Sequence, residues 1–198
     1  LAAAGWTVAA ATRRGESHAR RGERGQDALC LRLRGGLMVA VLADGAGSAP
    51  RGGPGAALAC RMLAQAALAA RHPLDETGPA PWLSAARAAI AAAAETRGLA
   101  PRDFAATLIL AVSDGAATLV AHVGDGGAVA LGPEGWHALS WPETGEYAGT
   151  THFLTDDPPA LRVTRHDGPV RALALFTDGL ERLVLDFAAQ QPHAPFFD

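Results

Sequence analysis

The sequence predicts an α+β fold: a sandwich of two mainly antiparallel sheets with a pair of helices packed on an outer face. Three observations carry this. β-rich runs fill both ends of the chain, two helical patterns stand together between them, and short glycine-containing turns join neighbouring runs. Two consecutive helices set between groups of antiparallel strands exclude a doubly wound parallel sheet, which needs regular strand–helix alternation.

Trp6–Thr12 alternates as a strand, and Ala28–Leu33 with Leu37–Ala43 reads as a hairpin across Arg34, Gly35 and Gly36. The period then changes. Gly55–Ala70 places Leu58, Met62, Leu63 and Leu68 near one stripe of a helix, with Pro54 suited to its first turn. The Pro-rich stretch His72–Pro81 ends that helix, and a second, Trp82–Arg97, is closed by Gly98. Strands return at Ala105–Val112, Ala117–Val123, Ala128–Leu131, Trp136–Leu139, Leu161–Arg165 and Val170–Phe176, and Leu180–Phe187 is compatible with a helix. Ser140–Ala160 is polar, contains proline and is too long for a hairpin connection, which marks it as a mobile flap.

At 198 residues and 49% hydrophobic, the chain can bury one substantial core, so a single domain over residues 1–198 is expected. A net charge of −3 argues against a general nucleic-acid binder. All 17 basic residues are arginine, and Arg13, Arg14, Arg20, Arg21 and Arg24 crowd into one stretch. That cluster reads either as a solvated face in a GC-rich bacterial composition or as a phosphate attractant, since guanidinium is a planar fork for phosphate oxygens. Cys30 and Cys60 lie inside predicted elements and outside any metal spacing, as buried thiols of a reducing cytoplasm would. The longest apolar run, Gly55–Ala70, is interrupted by Arg61 and Gln65, so no membrane span is expected. The start is unlike a secretion signal, and Leu1 in place of Met points to a trimmed N-terminus.

Five Asp-Gly pairs punctuate the chain. Asp114-Gly115 and Asp167-Gly168 join β-rich runs with almost no residues to spare, and are expected to be turns. Asp44 and Asp178 instead end buried runs and lead toward helices. A rigid strand end followed by glycine lets the backbone approach an ion or a phosphate. Asp125, flanked by Gly124, Gly126 and Gly127, is intermediate. Asp27 stands just before the strand paired with the one ending at Asp44, so hairpin pairing brings both to one open end. Two carboxylates together repel, and a divalent cation between them removes that cost; a surface Asp capping a turn explains the spacing equally well.

Taken in order, G-x-x-H-x-x-x-G-x-x-x-Q-D at Gly15–Asp27, V-L-A-D-G-A-G-S at Val41–Ser48, A-A-T-L at Ala105–Leu108, V-G-D-G at Val123–Gly126 and F-T-D-G-L at Phe176–Leu180 resemble the metal-dependent type 2C protein phosphatases, in their compact bacterial branch. The resemblance spans nearly the whole chain. It implies a four-layer α-β-β-α sandwich flanked by antiparallel helix pairs, two Mn²⁺ or Mg²⁺ ions at one end, and hydrolysis of phosphoserine and phosphothreonine in a signalling setting with a cognate kinase. Carried across by motif, Asp27, Asp44, the Gly45 carbonyl and Asp178 hold the metal pair, and Asp125 helps hold a weaker third ion. Arg20, Arg21 and Arg24 are the candidates for the phosphate-gripping arginine. Two departures stand out: Ala46 replaces the histidine that commonly follows Asp-Gly, and the last strand with its aspartate is expected after Asp198.

The residue types suit that chemistry. A phosphate monoester needs positive charge on its oxygens and a nucleophile ready at neutral pH, which a metal-activated water at a binuclear site provides. Oxygen-only ligands favour Mg²⁺ or Mn²⁺ over zinc. His18, which shares a segment with Asp27, is the first histidine candidate for a catalytic role, ahead of His122 and His152. A non-catalytic phosphoprotein-binding module of the same fold is the alternative, with Ala46 in its favour. A nucleotide cradle at Gly45–Gly55 is disfavoured, because G-x-x-x-x-G-K-[ST] is absent and the chain has no lysine.

Overall fold

The computed structural model describes residues 2–3, 5–15, 20, 22, 25–143 and 151–197. At the start, β1 (Ala2–Ala3) pairs with β2 (Trp6–Thr7), and the Trp6 indole N–H donates to the Gly36 carbonyl at 3.1 Å. The strand expected to reach Thr12 stops at Thr7. Residues 9–15 are exposed, and the three alanines at 9–11 offer too little side chain to hold a longer edge.

The predicted hairpin forms between β3 (Ala28–Arg34) and β4 (Leu37–Ala43), turning over Gly35 and Gly36 at φ 56° and 89°. With β5 (Leu108–Ser113), β6 (Ala117–Val123) and β9 (Arg162–Asp167) these strands make an antiparallel sheet ordered β3-β4-β5-β6-β9. The second sheet is ordered β10-β7-β8, from β7 (Gly127–Gly132), β8 (Gly135–Ser140) and β10 (Ala172–Phe176).

Helices α1 (Gly52–Ala69) and α2 (Pro79–Glu95) cover the outer face of the larger sheet. Each begins three residues before its predicted start. The extra turn holds Gly and Pro, which read as loop in sequence yet are tolerated where the first N–H groups lack intrahelical partners. Past α2, Gly98 at φ 63° allows Leu99 to donate its N–H to the Ala94 carbonyl at 3.0 Å, the expected glycine closure.

Strand alternation divides the core. Leu108, Leu110, Val112, Leu119 and Ala121 face the helices, while Ile109, Ala111 and Val120 face Ala128, Ala130 and Leu139 of the smaller sheet. Behind that sheet, Val129 and Phe176 pack on helix α3 (Asp178–Val184) and on Leu185, and Phe197 stacks on Trp136 at 4.0 Å. Among the described residues this side therefore carries one short helix, where the resemblance implies a pair. The helix predicted to reach Phe187 ends at Val184, because the chain turns extended into the two-residue ladder of β11 (Leu185–Asp186) and β12 (Gln191–Pro192).

Part of Ser140–Ala160 lies outside the described residues. Its described second half is anchored: Leu154 is fully buried in the core and donates its N–H to Ala106, and Arg87 donates to the Asp156 carbonyl at 2.7 Å. The flap expectation does not hold for that half.

Candidate active site

Register places the chemistry. Because Ala28 pairs with Ala43, Asp27 and Asp44 emerge side by side at one end of the larger sheet. Antiparallel pairing of Leu108 with Val123, and of Phe176 with Gly127, brings Asp125 and Asp178 to the same end. Asp114 and Asp167 fall at the opposite end, in the β5–β6 turn and at the close of β9.

Asp44 is fixed through its backbone. Its N–H donates to Thr107 Oγ1 at 3.0 Å, and its carbonyl accepts the Thr107 N–H at 2.8 Å. Next to it, the Gly45 N–H donates to the Gln26 carbonyl at 3.2 Å. The Gln26 side-chain amide, with its nitrogen turned toward them, donates to the Gly45 and Ala46 carbonyls at 2.6 and 3.0 Å. A carbonyl has two lone pairs, so Gly45 keeps one for a cation. A Cβ on Gly45 would lie 2.3 Å from the Gly52 carbonyl carbon, so only glycine lets α1 begin flush against the residue after Asp44.

Asp125 sits between Gly124 (φ 95°) and Gly126 (φ 83°) in a tight loop. Thr151 Oγ1 donates to Asp125 Oδ2 at 2.8 Å, and His122 Nε2 meets the Asp125 carbonyl at 2.9 Å. Arg162, which can only donate, meets His122 Nδ1 at 3.1 Å, so Nδ1 accepts and Nε2 carries the proton. Ser140 Oγ lies 2.5 Å from the same Nδ1. Burial, with Arg162 nearby, pushes His122 down to about 4, so it stands neutral beneath the loop as a structural group.

Charge accumulates here. Burial, then Asp27, Asp178 and Asp125, push Asp44 up to about 7, helped by a side-chain hydrogen bond to Asp178. Burial also raises Asp125, with Asp178 adding to it and Thr151 opposing. A further carboxylate, missed in the sequence, joins them: Glu181 accepts the Gly126 N–H at 2.5 Å and is raised by burial, then by Asp125 and Asp178. Its signal was its place three residues after Asp178 in a helical stretch. Thr107, Thr151 and Gln26 were also missed as positioning groups.

Among the described residues, no three His, Cys, Asp or Glu side chains close on one point as a finished metal-ligand set. The carboxylates crowd without closing. A buried acid that keeps its proton near neutrality because other acids face it is one that a hard divalent cation relieves, and the donors that could bind it are all oxygen. The residues therefore fit such an ion in their chemistry, all the donors being oxygen and one acid being held protonated by its neighbours.

The other candidates are dispersed. His18, Arg21 and Arg24 lie outside the described residues, and Arg20 is exposed. Ala46 packs with Ala49, Ala105 and Phe153, so an apolar cluster occupies the place expected for an imidazole. His152 faces Asp156 at 3.9 Å. Cys30 and Cys60 are free and buried. No helix among the described residues is long and apolar enough to cross a membrane.

A family model described as Protein phosphatase 2C matches residues 14–198. Serine/threonine-protein phosphatase 3 of Escherichia coli (strain K12) is 34% identical over 171 residues, covering 81% of this chain and 66% of that protein. The chain thus spans just under two thirds of that relative's length. In fold it is similar to serine/threonine phosphatase Stp1 from Staphylococcus aureus, with TM-score 0.64 and 16% identity over 84% of this chain and 75% of that one. The catalytic domain of serine threonine protein phosphatase PstP, in complex with 2 manganese ions, gives TM-score 0.64 and 19% identity over 84% and 76%.

Proposed function

Because this chain belongs to the protein phosphatase 2C family, we propose that it hydrolyses phosphoserine and phosphothreonine in proteins with the help of divalent cations. The observation that carries this reading is the arrival of Asp27, Asp44, Asp125 and Asp178, from four separate parts of the chain, at one end of the sandwich. Asp27, Asp44, the Gly45 carbonyl and Asp178 would hold two Mn²⁺ or Mg²⁺ ions, and Asp125 a weaker third. Bound there, the ions would supply positive charge for the phosphoryl oxygens and an activated water for in-line attack.

The chain's own groups prepare that site. Thr107 and Gln26 hold Asp44 and the Gly45 carbonyl in place by hydrogen bonds. Asp44 must give up its proton for an ion to load, so loading strengthens as pH rises through about 7. Arg20, Arg21 and Arg24 are the candidates for steering the phosphate dianion. With Ala46 apolar, His18 is the candidate for protonating the leaving alkoxide. The substrate would be a phosphoprotein made by a serine/threonine kinase in a cytoplasmic signalling circuit.

The test is phosphate release from a phosphothreonine peptide with Mn²⁺, with Mg²⁺ and with EDTA, alongside Asp44→Asn. Release that needs the metal and collapses in the variant supports the reading. Release indifferent to EDTA would sink it, and peptide binding without release would favour a binding-only module.

A further inference from the structure

We propose that Glu181 is a positioning residue of the metal centre, latching the Gly124–Gly126 loop that carries Asp125 to the helix that carries Asp178. The inference rests on the phosphatase reading for its consequence, and on geometry for its substance. Glu181 Oε1 accepts the Gly126 N–H at 2.5 Å, across 55 residues of sequence. On α3, Glu181 follows Asp178 by three residues, so the two side chains share a face of the helix. One hydrogen bond therefore ties a loop to a helix, each of which presents a carboxylate to the same end of the sandwich.

The other contacts of this loop leave that role open for Glu181. Arg162 grips the Gly124 carbonyl at 3.3 Å, His122 meets the Asp125 carbonyl at 2.9 Å, and Thr151 holds the Asp125 carboxylate. All three act on Gly124 or Asp125. The Gly126 N–H faces the opposite way, toward α3. At φ 83°, a Cβ on Gly126 would stand 2.6 Å from the Phe176 carbonyl, so the loop already lies against the strand leading into Asp178. Glu181 converts that proximity into a fixed register. Supporting hydrogen bonds of this kind typically govern metal affinity by about ten- to a hundredfold.

Two variants of the 198-residue chain separate the latch from its alternatives. Glu181→Gln keeps a carbonyl acceptor at the same reach, whereas Glu181→Ala removes it. In metal-free protein, amide hydrogen exchange at Gly126 should speed up in Glu181→Ala and stay near wild type in Glu181→Gln, with β5 amides reporting intact folding. In Mn²⁺ titrations followed by calorimetry, affinity should fall about tenfold in Glu181→Ala and hold within about twofold in Glu181→Gln. Unchanged Gly126 exchange in Glu181→Ala overturns the latch. So does an equal loss of Mn²⁺ affinity in both variants, which would assign the effect to the negative charge. If the wild-type chain bound no Mn²⁺, the phosphatase reading would fail, and Gly126 exchange would still decide the latch.

Discussion

At the turn end of the sandwich, Asp114 accepts the N–H groups of Ala116 and Ala117 at 2.9 and 2.8 Å, and Asp167 pairs with Arg165 at 2.8 Å. At the other end, Asp44 faces Asp27, Asp125 and Asp178 and is lifted to about 7. The dipeptide is the same in both places, so Asp-Gly does not decide the role. What differs is that Asp114 and Asp167 meet a local donor or cation, whereas Asp44 is crowded by three other acids. The turn end also holds an open cleft of about 710 Å³ lined by Asp75, Glu76, Asp114 and Asp167 with Arg71 and Arg165 among them, so its acids stand beside cations. Cavity size thus points away from the end where charge is unresolved, and the unresolved charge is the better guide to chemistry.

The sharpest way to break the comparison is to neutralise one acid at each end. Asp44→Asn should lower phosphate release by about a hundredfold or more, beyond the loss typical for a group that only supports a ligand. Asp167→Asn should leave release within about twofold of wild type, because its partner is an exposed arginine. Equal effects in a peptide assay would erase the distinction between the ends.

Next in size is the response to pH. Asp44 rises from an ordinary value of 3.8 to about 7, so between those values the folded state keeps a proton that the unfolded chain has released. Metal-free stability should therefore fall as pH climbs through that window and level off above about 7. A bound divalent ion keeps Asp44 ionised and removes that dependence. The gain in Tm from Mn²⁺ over EDTA should then widen by about 5 °C between pH 5.5 and 7.5. A gain that stays constant or shrinks with pH would show that Asp44 does not take part.

Smaller effects test the supports. Thr107→Val removes the acceptor for the Asp44 N–H inside a buried site, and should cost about 1–3 kcal/mol in urea unfolding while weakening Mn²⁺ binding. Asp114→Ala removes two turn hydrogen bonds and should cost about 1 kcal/mol with unchanged turnover. Should the Asp114 variant lose metal instead, the sorting of the two ends would be reversed.

Much of this placement was legible. The Asp27–Asp44 pairing follows from two seven-residue runs joined by a glycine turn, because hairpin register leaves no freedom once the turn is set. Asp114 and Asp167 were readable as turns for the same reason. The spacing of Glu181 from Asp178 marks only a shared helix face; its contact with Gly126 depends on α3 folding back over a loop 55 residues earlier, which no local pattern encodes. The residue types of Thr107 and Thr151 are common in strands and loops, and only tertiary contact turns them into holders of Asp44 and Asp125. The strand over Trp6–Thr12 stops at Thr7 because the alternation of Trp6, Thr7 and Val8 runs into three exposed alanines that bury nothing.

Cys60 offers a clock. Its thiol sits in α1, almost fully buried, and points at the Ala28 and Val41 carbonyls of β3 and β4, the strands that end beside Asp27 and Asp44. Burial, with Cys30 close by, pushes it up to about 12, so alkylating reagents find no thiolate while the helix stays seated. Labelling of Cys60 therefore counts the moments when the helical layer lifts from the sheet. Ions bound at the strand ends would slow the count, and the chain would report on its own loading without substrate, dye or tag.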